Sequence, residues 1–168
     1  MTVDTTYPTI AVLQGAAEAQ GLVQCKEVTF TESTAAGVYT GSVTVPADAW
    51  LLDIKIWNDV YWTAATTAAM IVGDGGDPNG WYDAIDLKAT DIVAGAEAEV
   101  IDFNNPGGQE GAYLVTATGE RAEMYSASAR IITGEITTTG ATGNAGRTRM
   151  LVIYAQPSPV TAATKVAS

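Results

Sequence analysis

Short runs of alternating apolar and polar residues, each cut off by glycine, proline or asparagine, leave this chain few folds to choose from. The clearest run is 50–57, in which Leu52, Ile54 and Ile56 are expected on one face and Leu51, Asp53, Lys55 and Trp57 on the other. A period of two is that of a strand with one face toward a core. Val28 and Phe30 alternate in the same way with Glu27, Thr29 and Thr31. Val43 and Val45 alternate with Ser42 and Thr44 until Pro46 ends the ladder. Residues 100–103 are a short apolar piece before a turn, and further strands are expected over 66–72, 113–118, 130–138 and 147–155. The last two flank a connection holding Gly140, Gly143 and Gly146, so they read as a hairpin. About eight short strands at spacings of roughly 10 to 15 residues, with almost no helical periodicity, predict an all-β single-domain β-sandwich, jelly-roll-like. Strands do not alternate with amphipathic helices, which argues against a doubly wound α/β fold.

Composition agrees. Valine, isoleucine, threonine and glycine are abundant, leucine and phenylalanine sparse, and 47% of the 168 residues are apolar. Lysine and arginine total 8 against 19 aspartates and glutamates, a formal net charge of -11. Such a surface repels phosphate backbones and anionic lipid, so no nucleic acid and no membrane is expected as a partner. No apolar run approaches the ~18 residues of a membrane span. No lysine or arginine precedes the apolar stretch 10–13, so there is no basic n-region, and synthesis in the cytoplasm is expected.

The chain has no histidine, which removes Ser-His-Asp and Cys-His nucleophiles and His-ligated metal centres. The single Cys25 excludes an intrachain disulfide and reads as a small buried hydrophobe. Nineteen acids offer many pairs for glycosidase chemistry, but so does any acidic chain of this size. No catalytic residue, cofactor or metal is expected, and the protein reads as a non-enzyme.

Three segments follow: an N-terminal arm over 1–22, the sandwich over 23–156, and a surface tail over 157–168. Gly15 and Gly21 bracket too short a piece for an independently stable helix. The first segment is either a frayed terminus or an arm that packs on a partner, with Tyr7, Ile10, Val12 and Leu13 as anchors. The loop 73–80 brings Asp74, Asp77 and Asn79 together as D-x-x-D-x-N. That is not the EF-hand spacing; it reads first as a turn and second as a calcium loop. Trp57, Tyr61, Trp62, Trp81 and Tyr82 would suit a sugar-stacking platform, a core or a subunit contact. Trp81 and Tyr82 join the four arm residues as partner-binding candidates.

Three stretches, 42–54, 72–81 and 134–154, give the chain a likeness to a known group. The first holds Val43, Val45, Pro46 and Trp50, the second Gly73, Asp74, Asp77 and Trp81, and the third Glu135, Gly140, Arg147 and Tyr154. In order and style they resemble small β-sandwich structural proteins of tailed-bacteriophage virions, among them head decoration, or cement, proteins that sit as trimers on a capsid. The resemblance implies a non-enzymatic homotrimer on the virion surface with the major capsid protein as partner. A tail, collar or head-fibre adaptor is the second reading. A carbohydrate-binding module is the third.

Overall fold

The computed structural model describes residues 23–94, 100–115, 117, 121–140 and 143–156. Tyr7, Ile10, Val12 and Leu13, and the segments 1–22 and 157–168, lie outside the described residues. Eight strands follow in chain order: β1 (Val23–Thr31), β2 (Val38–Val45), β3 (Ala49–Val60), β4 (Thr67–Gly73), β5 (Tyr82–Asp86), β6 (Tyr125–Ser126), β7 (Arg130–Thr139) and β8 (Arg147–Ala155). They form two four-stranded antiparallel sheets, ordered β1-β8-β3-β6 and β2-β7-β4-β5. The described residues are therefore all-β and sandwich-like, as the alternation predicts.

The inner faces of both sheets supply one core. Ile54, Ile56, Met150 and Val152 come from the first sheet, and Met70, Val72, Ile132 and Ile136 from the second; all eight are fully buried. Tyr82 ties the layers together, its hydroxyl donating to the Ile54 carbonyl at 2.8 Å. In the second sheet, Gly41 and Gly134 are register partners. A Cβ on Gly41 would come within 2.9 Å of the Phe30 ring, and one on Gly134 within 3.0 Å. The paired glycines thus leave a notch that Phe30, from the opposite sheet, fills.

The short β6 leaves most of one edge of β3 unpaired. The segments after β5 cover it: Ile101 exchanges backbone hydrogen bonds with Ile56, and Asn58 N–H donates to the Ile92 carbonyl. An open row of backbone donors and acceptors is thereby satisfied without a full strand.

The structure corrects several expectations. In β3, Leu51 pairs with Tyr154 and Asp53 with Ile153, so Leu52 is an extra residue at a bulge. The bulge reverses the phase of the strand. Leu51, not Leu52, shares the buried face with Ile54 and Ile56, while Leu52 is 44% exposed. β7 and β8 do not form a hairpin, because each is an inner strand of a different sheet and the connection between them crosses the sandwich. Residues 112–114 form a turn rather than a strand, with Leu114 and Val115 N–H both donating to the Gly111 carbonyl. Cys25 is exposed, since its side of β1 faces outward.

Candidate interaction surface

The two sheets differ on their outer faces. On the second sheet, Thr40, Ser42 and Thr44 of β2, Thr137 and Thr139 of β7 and Thr67 of β4 are exposed. Their hydroxyls make this part of the face polar, with Glu135 of β7 beside them and Asp83 and Asp86 exposed on β5, and Thr67 and Thr139 hydrogen-bond to each other at 2.6 Å. Val38 and Ile131 are the large apolar side chains exposed on these strands.

The first sheet is built otherwise. Strand register lines up Val23, Ala155, Trp50 and Tyr125 in one row across all four strands. Val23 is 59%, Trp50 51% and Tyr125 43% exposed, and the bulge adds Leu52 beside them. The Trp50 and Tyr125 rings lie 5.2 Å apart, and the Tyr125 hydroxyl donates to Asp48 Oδ1 at 2.9 Å. The next rows bring Cys25 beside Ile153 and Leu151 beside Lys55. Farther along, Lys55, Trp57, Ala94, Val100 and Leu151 line a cleft of about 280 Å³. Val23, Trp50, Leu52 and Tyr125 thus form a contiguous exposed apolar row, the kind of patch that marks candidate interaction sites.

The charges of this face are paired within it. Lys55 Nζ lies 2.9 Å from Asp53 and 2.8 Å from Asp102. Asp59 Oδ2 sits 2.8 Å from both Arg147 and Arg149, and Arg149 also reaches Glu27 at 2.8 Å. Hydrogen bonds to Asp102 and Asp53 raise the Lys55 pKa, and the hydrogen bond from Arg149 lowers that of Asp59. For Asp102, burial works upward but is outweighed by Lys55 and by the Asn104 and Asn105 N–H groups, so its pKa falls. Each exposed pair adds little to stability. Together they set three cations against four carboxylates, on a chain that carries 8 cations and 19 acids in all.

Trp81 and Tyr82, expected as partner contacts, are both fully buried. Trp81 packs edge-on against Tyr113 with ring centroids 4.9 Å apart and carries the Arg130 guanidinium 5.2 Å above its ring. Burial in the core, rather than exposure, explains both residues. Trp62 is buried too, so the five aromatics never gather as a platform: Tyr61 is 48% exposed and Trp57 lines the cleft. The surface candidates missed in the sequence are Trp50, Leu52, Leu151, Ile153 and Tyr125. One signal pointed to two of them: 150–155 is apolar at every position, the mark of a strand with work on both faces.

In the loop 73–80 the carboxylates serve the turn. Asp74 Oδ1 accepts from Gly76 and Asp77 N–H and from the Tyr113 hydroxyl, and Asp77 Oδ1 accepts from Asn79 N–H. Among the described residues, no three of His, Cys, Asp and Glu cluster as metal ligands. A concavity of about 570 Å³ beside this loop is lined by Asp74, Tyr113, Glu123, Arg130 and Ile131. Burial and then Asp74 push the Tyr113 hydroxyl up to about 12, and Arg130 donates to the Glu123 and Met124 carbonyls. These groups hold the wall of the sandwich together and present no activated nucleophile.

With the geometry established, comparison with solved structures gives the fold a precedent. A chain of the acidic stable capsid structure of Helicobacter pylori bacteriophage KHP30 matches with a TM-score of 0.51 at 17% identity, covering 83% of this chain and 91% of that one. The two share a fold. A chain of the cyanophage Pam1 capsid asymmetric unit matches at a TM-score of 0.46 and 18% identity, covering 82% of this chain and 87% of that one. No family model and no curated protein matches the sequence.

Proposed function

We propose that this protein is a non-enzymatic structural component of a phage virion, a decoration protein that binds the outer surface of the head as a trimer and stabilises it. The observation that carries the reading is the shared fold with a chain of the KHP30 capsid structure, which spans 91% of that chain. The sequence likeness to small virion sandwich proteins points the same way. The strand order β1-β8-β3-β6 over β2-β7-β4-β5 suits a jelly roll, in which successive strands cross between two sheets. The apolar outer face of the first sheet supplies the kind of surface a permanent assembly contact needs.

On this reading the partners are the major capsid protein and two further copies of the chain. Residues 1–22 form an arm, with Tyr7, Ile10, Val12 and Leu13 as its anchors on the shell. Three copies holding one shell at three points gain affinity by avidity, orders of magnitude beyond a single contact. The protein is made in the host cytoplasm, and its net charge of -11 keeps the free form soluble before assembly.

The test is co-sedimentation with expanded heads lacking this protein. Saturable binding that raises the temperature at which the heads rupture is expected. A chain lacking residues 1–20 should keep its melting transition and lose attachment. No binding to heads at any concentration would refute the decoration role, and full attachment by the shortened chain would refute the arm.

A further inference from the structure

We infer that a second copy of this chain covers the outer face of the β1-β8-β3-β6 sheet. One end of the face is apolar and exposed, along Val23, Trp50, Leu52 and Tyr125, and the charged side chains toward its other end are paired with one another. That combination selects the partner. A basic partner would be drawn to unpaired carboxylates, and Asp83 and Asp86 on β5 of the other sheet are exposed and join no ion pair among the described residues. The first sheet offers such a partner less, because four of its carboxylates already have cations beside them and Asp48, at the end of the apolar row, is held by the Tyr125 hydroxyl. A second acidic copy, by contrast, is repelled over most of the surface and least over this nearly neutral face.

The layout suits repetition of the chain. The row from Val23 to Tyr125 runs from one edge of the sheet, β1, to the other, β6. A ring of identical copies needs two different patches on each copy, one for each neighbour. Here a single face carries both ends of an apolar row, so the β1 end of one copy can meet the β6 end of the next. The hydroxyl-covered outer face of the second sheet, with its exposed threonines, is left toward water.

The inference deepens the self-association in the proposed function and rests on it, yet its test uses no capsid. A failure of shell binding and a failure of this contact are therefore separate results. Cys25 is exposed on this face beside Ile153 and provides a built-in reporter. The full-length chain is followed by sedimentation equilibrium and by the rate at which Cys25 reacts with a maleimide. A mass that is a multiple of 17.4 kDa is expected, with Cys25 protected and freed on dilution. Trp50→Lys and Leu52→Lys, both at exposed positions, should each give a folded monomer with a reactive thiol. Thr40→Lys and Thr137→Lys on the other face should leave mass and protection unchanged.

Three outcomes overturn the inference. One is a 17.4 kDa monomer with a freely reacting Cys25 at every concentration. Another is an oligomer indifferent to both lysine variants on the first sheet. The third is a monomer whose Cys25 is protected until residues 1–20 are deleted, which would assign the cover to the chain's own N-terminal segment.

Discussion

The indole N–H of Trp62 donates to Thr148 Oγ1 at 2.7 Å, and neither residue reaches solvent. The Thr148 hydroxyl in turn donates a hydrogen bond to Asn58 Oδ1 at 2.6 Å, and Asn58 Nδ2 donates to the Leu87 carbonyl at 2.9 Å. This buried chain joins β3, β8 and two loops. Thr148→Val keeps the shape but leaves an indole donor and an amide acceptor without partners. We expect a loss on the order of 2–4 kcal/mol in urea unfolding, with Thr148→Ser recovering most of it. Equal stability of the valine variant and the wild type would show that the network contributes nothing.

Glu32 is a buried carboxylate that accepts from Thr63 N–H, from the Thr63 hydroxyl at 2.7 Å and from Gly146 N–H at 3.0 Å. Burial pushes its pKa up, but the hydrogen bonds from Thr63, Gly146 and Ala64 together bring it below the usual 4.5. A depressed carboxyl stabilises the fold above its unfolded value, and that contribution disappears as pH falls through the folded value. Glu32→Gln should therefore cost about 1–3 kcal/mol at pH 7 and progressively less below pH ~4.5. Melting curves from pH 3 to 8 check this; a constant gap between the two proteins would contradict it.

The notch formed by Gly41 and Gly134 makes a third prediction. A Cβ at Gly134 would stand 2.6 Å from Met70 Cε and 3.1 Å from Met150 Sδ, as well as against Phe30. Gly134→Ala should cost about 1–3 kcal/mol through overpacking. Phe30→Leu leaves space in the same place, so the double variant should lose less than the two single losses added. Strict additivity in denaturant titrations would mean that Phe30 does not fill the notch.

Tyr82 yields an alkaline prediction. Burial, then the negative charges of Asp53 and Asp102, raise the Tyr82 phenol far above the usual 10.0. A raised pKa favours the fold below the unfolded value and withdraws that support as pH rises above it. The protein should lose stability above pH ~10, and Tyr82→Phe should lose less over the same range. Ultraviolet titration should find Tyr82 silent while the fold persists; early ionisation would place the phenol in water.

Strand content and the sandwich architecture were legible because alternation records which side of a strand is buried, as Val43 and Val45 against Ser42 and Thr44 show. The strand partners were not legible. β7 and β8 are neighbours in sequence, but their apolar inner faces fit either one sheet or two facing sheets equally well. The bulge at Leu52 was hidden for a similar reason: with leucine at both 51 and 52, either phase of the strand offers an apolar side chain to the core. Trp81 and Tyr82 were misplaced because an aromatic pair after a glycine-rich turn looks the same whether it faces water or, as here, fills the space between sheets. The interaction face escaped because its parts lie on four strands and meet only through register.

That register also pairs Val23 with Ala155, the first strand residue with the last. Directly paired residues on antiparallel strands have Cα atoms only ~5 Å apart. The path from 23 to 156 is thus almost a closed circuit, and a linker of a few residues joining its ends should permit new termini in an exposed turn such as 33–37. Residues 23 and 155 therefore share one spot, beside the exposed ring of Trp50. A domain fused directly to residue 23 or residue 156 of a shortened chain would crowd that patch, whereas an insertion at 33–37 would leave it clear.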